Sequence, residues 1–190
     1  MIPIMKKKIK NIIFYVLAIL LSLYLIVDIM VPDKTVSIFG FKTFVIVSPS
    51  MEPKINVNDA VMVRKSKIEN LDSGDIITFK AYIPELGQTA YVTHYLGDKT
   101  RTETGWILKT HGEGDLSYDE WQDEAGNPVD ITEDDFIGIV AFTIPKAGHF
   151  LKIFQDPIMF LLITVNIGIV VYIVYYIKKT KKSESDKTVE

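Results

Sequence analysis

The chain has 190 residues, no cysteine, 48% hydrophobic residues and a formal net charge of −3. A chain of this size fits one domain plus extras. The lack of cysteine excludes a disulfide framework and thiolate zinc sites. The weak negative charge, with no basic stripe interleaved with aromatics, excludes the usual nucleic-acid-binding signature.

Residues 1–10 carry Lys6, Lys7, Lys8 and Lys10 and read as a basic cytoplasmic N-terminus. Residues 11–31 are apolar over roughly 20 positions, enough to span a bilayer as a helix. The stretch Ile29-Met30-Val31-Pro32-Asp33 lacks the small residues of a signal-peptide cleavage site, so this segment is expected to be a retained anchor. Asp28 falls near its outer end, where a carboxylate reaches the interface. A second apolar block, 158–177, is again roughly 20 residues long. Lys178, Lys179, Lys181 and Lys182 follow it. Lysines at both outer flanks place both termini in the cytoplasm, in a multi-pass protein of the cell membrane, and residues 32–157 on the extracytoplasmic face. The tail, 178–190, reads as disordered from Ser183 on, being polar and without periodicity. Asn166 and Gly168, inside the second block, suit helix packing.

Residues 32–157 read as mainly β. Ala60–Val63, Asp75–Phe79, Ala90–Tyr95, Trp106–Lys109 and Phe136–Val140 are short strand-like runs. Turn signals separate them at Asn58-Asp59, Ser73-Gly74-Asp75, Leu86-Gly87, Gly97-Asp98, Gly105 and Gly126-Asn127-Pro128. Such spacing suggests a small barrel or sandwich. The run 37–44 fits either a buried strand or a segment dipping into the outer leaflet.

Phe44-Val45-Ile46-Val47 leads into Ser48-Pro49-Ser50-Met51-Glu52-Pro53. A strand that stops at a proline-bounded turn presents Ser50 at its end, and a serine so placed is a nucleophile if a base stands beside it. The plain alternative is a turn whose hydroxyls bond local backbone. Three histidines are available as base: His94 in a strand, His111 in a polar loop, and His149, which suits the membrane interface. An orienting carboxylate would come from Glu113, Asp115, Asp119, Glu120 or Asp123.

Together these stretches resemble the type I signal peptidases. Ser48-Pro49-Ser50-Met51-Glu52-Pro53 is similar to that family's serine motif, and Ser73–Phe79 to its Gly-Asp motif. Tyr91-Val92-Thr93-His94-Tyr95 resembles the histidine motif of the endoplasmic-reticulum-type branch, found also in archaea and some Gram-positive bacteria, where most bacterial members carry a lysine. Leu108–Glu113 and Phe142–Gly148 resemble later motifs of that branch. Tyr95 stands where arginine is usual, His111 where lysine is, and Glu113 where aspartate is.

The resemblance implies a β-rich, signal-peptidase-like catalytic domain between two transmembrane helices. It implies a membrane-bound serine endopeptidase that removes signal peptides, with Ser50 as nucleophile and His94 as general base. Asp119 would orient His94, with Asp115 and Glu113 as alternatives. The oxyanion would be held by the Ser50 N–H and the Ser48 hydroxyl. Expected partners are the bilayer and exported preproteins with small residues before the cut, with no cofactor, metal or nucleic acid. Two other readings remain open at this point: a membrane-anchored binding module that kept the fold without the chemistry, and a serine–lysine peptidase using Lys80 or Lys109.

Overall fold

A computed structural model describes residues 2–150 and 157–187. The first apolar block lies within one helix, α1 (Ile2–Met30), which also takes in the N-terminal lysines. Its segment Ile12–Met30, 19 residues of mean hydropathy 2.6, is long and apolar enough to cross a membrane. Pro32 opens a single 3-10 turn, and a five-residue helix, α2 (Thr35–Phe39), follows. Of the run 37–44, residues 37–39 are therefore helical and residues 41–44 are strand, so the strand alternative holds for its second half. Gly40, with φ 84°, ends α2 in the left-handed region and turns the chain into strand β1 (Phe41–Val45). Tyr24 of α1 meets Phe39 and Phe41 at ring-centroid distances of 5.1 and 5.6 Å, which joins membrane helix, short helix and first strand.

The expected β-rich domain is present. Strands β2 (Ala60–Arg64), β3 (Ile76–Ile83), β4 (Gln88–Thr102), β5 (Gly105–His111), β8 (Ile131–Thr132) and β9 (Phe136–Ile144) join β1 in one seven-stranded sheet, ordered β1-β2-β9-β3-β4-β5-β8. Every pairing in it is antiparallel. Strands β6 (Trp121–Gln122) and β7 (Pro128–Val129) form a separate hairpin. Among the described residues the ladder does not close on itself: β1 and β8 are each paired on one side. The Gly97-Asp98 pair, read as a turn, lies inside β4. A register shift between Leu96 and Asp98 absorbs the glycine as a bulge, so the strand continues beside β5.

Alternation along the strands fills two apolar clusters. One holds Leu71, Ile77, Phe79, Leu96, Leu108 and Ile131. The other holds Val36, Ile46, Met51, Ile55, Val61 and Val63. The second cluster anchors the turn that carries Ser50, because Met51 and Ile55 are almost fully buried while Ser50 stays exposed.

A long helix, α3 (Pro157–Lys187), contains the second apolar block, but its apolar stretch, Leu161–Ile177, is shorter than the first. The helix runs on through Ser183–Lys187, which the sequence suggested were disordered. Once a helix is nucleated, each further residue is added at little cost.

Candidate active site

Ser50 stands in a tight turn where Glu52 N–H donates to Pro49 C=O at 2.9 Å and Ile55 N–H to Met51 C=O at 2.8 Å. Its hydroxyl oxygen lies 3.3 Å from that of Ser48. Both serines open onto a cleft of about 810 Å³ that runs past β1 residues Thr43–Val45, past Ala90–His94 of β4 and Trp121, to Lys42 and Asp28.

His94 lines this cleft and is 7% exposed. Its position in β4, opposite Ile77 of β3, sets the imidazole among Phe79 and Trp121, with ring centroids at 6.5 and 6.0 Å. Nδ1 lies 2.8 Å from Asp119 Oδ2. The Thr110 hydroxyl donates to the same oxygen at 2.6 Å, and the indole N–H of Trp121 donates to Thr110 Oγ1 at 3.0 Å. Asp119 N–H donates to Thr110 C=O at 2.7 Å, so the acidic segment is pinned to the end of β5 by main chain and side chain together. Burial by itself raises the Asp119 carboxyl, but the bonds from His94 and Thr110 and the two nearby imidazoles outweigh it and hold the group below the usual carboxylate range.

Of the carboxylates weighed from sequence, the structure thus sets Asp119 against His94. Asp115 lies close to Gly112 instead. Glu113 accepts from the Tyr95 hydroxyl at 2.7 Å. His111 is the last residue of β5, not a loop residue, and its ring stacks on Tyr95. Thr110 and Trp121 were not singled out in the sequence. Alternation in β5 was the available signal for Thr110, since it places that residue on the buried face with Leu108.

The lysines considered as bases are engaged elsewhere. Lys80 pairs with Asp33 at 3.3 Å. Lys109 pairs with Asp130 at 2.5 Å and lines a second cleft, of about 540 Å³, on the far side of Trp121. Lys42 is the one lysine lining the Ser50 cleft among the described residues, and its Nζ is held by Asp28 at 2.9 Å and Pro32 C=O at 3.2 Å. Among the described residues no cluster of His, Asp and Glu has the arrangement of a metal site.

Residues 12–97 match the family described as signal peptidase, peptidase S26. The chain is also 31% identical over 84 residues to signal peptidase I W of Bacillus subtilis, a stretch covering 44% of this chain and 42% of the relative. Over that stretch the chain is similar to the S26 signal peptidases. It spans under half the length of the curated relative it matches. The same match corrects the mechanism expected from sequence. Peptidases of the S26 family work through a serine–lysine dyad, which contradicts a signal peptidase built on Ser50 with His94 as general base. Nor does any hydrogen bond among the described residues join Ser50 to His94. The histidine-containing motif was the basis of that expectation, and resemblance at one short motif was asked to fix a proton-transfer role that it does not carry.

Proposed function

We propose that this chain is a membrane-bound serine peptidase that cuts signal peptides from exported preproteins, with Ser50 as the nucleophile. One observation carries the reading: an exposed serine, held on a turn whose next residue is buried, opens onto a cleft that reaches the outer end of an apolar helix. Family-level homology over residues 12–97 supports the same activity.

Ser50 Oγ attacks the scissile carbonyl carbon and loses its proton, and the C–N bond breaks with that proton passing to the leaving amine. Water then hydrolyses the acyl ester and restores the Ser50 hydroxyl. The Ser50 N–H with the Ser48 hydroxyl holds the oxyanion, as donors aimed at developing charge do. His94, backed by Asp119, forms the polar wall of this centre. Among the described residues strand β1 is paired on one side only, and its residues line the cleft. An extended peptide adds there by main-chain bonding, with small side chains before the cut fitting shallow pockets. In this reading both termini are cytoplasmic, α3 supplies a second span, and residues 32–157 face outward. Detergent-solubilised protein incubated with a preprotein tests the activity. Wild type should release the mature protein and Ser50→Ala should not. Equal cleavage by both would remove Ser50 from the chemistry.

A further inference from the structure

Tyr95 and Glu113 depart from the pattern of the signal peptidases at separate places in the sequence, yet they touch. Tyr95 follows His94 on β4 and packs against the apolar cluster that contains Met51, the residue after Ser50. Its hydroxyl donates to Glu113 Oε2 at 2.7 Å, and the Glu113 backbone N–H donates to the Ser50 carbonyl at 2.9 Å. The Tyr95 ring stacks on His111 with centroids 5.4 Å apart and an interplanar angle of 21°. His111 Nδ1 in turn lies 2.8 Å from Gly112 C=O. Between them Gly112 lets the backbones close up: a Cβ there would stand 2.8 Å from the Ser50 carbonyl oxygen and 2.6 Å from Asp115 Oδ2.

We infer that Tyr95 and Glu113 are positioning residues for Ser50: the Tyr95 hydroxyl fixes the Glu113 side chain, and the Glu113 N–H fixes the Ser50 carbonyl. The pair sets the height of the serine turn above β4, the strand that carries the histidine wall of the cleft. Burial first, and then the bond to Glu113, push the Tyr95 phenol up to about 12, so it remains a donor at any pH near neutral. The inference rests on Ser50 being the reacting group.

The test compares Tyr95→Phe, Glu113→Ala, their double variant and Glu113→Gln, which keeps an acceptor oxygen. Tyr95→Phe and Glu113→Ala should each lower kcat about ten- to a hundredfold, with KM unchanged, as expected for one lost hydrogen bond to a charged group. The double variant should be no worse than the worse single one, because both break one link. Glu113→Gln should stay near wild type. Hydrogen exchange at the Glu113 amide reads the contact without any need for activity, and protection there should fall in Tyr95→Phe. Unchanged protection overturns the link between Tyr95 and the serine turn. Lost protection with unchanged kcat overturns the positioning role. A wild-type protein that leaves preproteins uncut sinks the proposed function and the positioning role with it, while exchange still reports the contact. Should Tyr95→Phe fail to fold, the contrast between Glu113→Gln and Glu113→Ala decides the matter: equal rates refute the role.

Discussion

The hydroxyl of Thr110 and the carboxylate of Asp119 meet at 2.6 Å, on the same oxygen that faces His94 Nδ1. Thr110 is 1% exposed and uses its hydroxyl twice, as donor to Asp119 and as acceptor from the Trp121 indole. Thr110→Val keeps the shape and removes both bonds. It should cost about 1–3 kcal/mol, the penalty of stranding buried polar groups. Urea unfolding of the solubilised protein measures this. A loss under 0.5 kcal/mol, the scale of an ordinary surface change, would show the contact to be incidental.

Asp119 also makes stability depend on pH. Its folded-state carboxyl titrates below the unfolded value. The stabilisation is therefore fully present above the unfolded pKa, near about 4, and is lost as pH falls through the folded one. Wild type should lead Asp119→Asn in unfolding midpoint at pH 6, and the lead should shrink steadily below pH 4. A lead that grows on acidification would reverse the sign and contradict the depressed carboxyl.

Ser48 and Ser50 should separate in their effects. Both are exposed, so Ser50→Ala and Ser48→Ala should each keep the folding free energy within about 0.5 kcal/mol of wild type. Cleavage should vanish in Ser50→Ala. In Ser48→Ala it should fall about a hundred- to a thousandfold, as for one lost oxyanion donor. Full activity in Ser48→Ala would leave the backbone N–H alone in that role.

Lys42 is 7% exposed and is held by Asp28, Pro32 C=O and the faces of Phe44 and Tyr91. Asp28→Leu leaves that ammonium short of its counter-charge and should destabilise the protein by about 1–3 kcal/mol. Thermal unfolding in micelles reads the change, and Asp28→Leu/Lys42→Met should recover part of it, because removing both members of a pair with a buried lysine costs less than stranding the lysine. No recovery in the double variant would show that the pair acts through something other than charge.

Topology has its own measurement. Single cysteines at Lys6, Asp98 and Ser185, in a chain with none of its own, can be probed with an impermeant thiol reagent on intact cells. Asp98→Cys alone should react. Labelling at either terminus would invert the proposed orientation.

Much of the sheet could be read from alternation, and the difficulties fall at particular residues. Ala60–Val63 and Phe136–Val140 match β2 and the first part of β9, and in β2 Val61 and Val63, two apart, are both buried. β4 was read too short: Gly97-Asp98 is a strong local turn signal, and only pairing with β5 overrides it. The resemblance implies Asp119, but that residue sits in a segment whose acidity looks like a solvated loop, and its partner Thr110 lies outside that segment, in β5. The bonds that bury it come from β5, and spacing along the acidic segment does not reveal them. The contact between Tyr95 and Glu113 was not legible either, since nothing in a one-dimensional string says that 18 residues apart means 2.7 Å.

Asp28 lies within the apolar stretch Ile12–Met30 and bonds both Thr35 of α2, at 2.9 Å, and Lys42 of β1, at 2.9 Å. The last turns of the membrane helix are thereby clamped to the strand that leads towards Ser50. If the proposed function holds, this clamp makes the protein a fixed ruler, set to read a substrate at one height above the lipid. On that reading a preprotein whose scissile bond sits too deep would have to unwind its own helix to reach the mark, and one that sits too shallow would have to be drawn down to it.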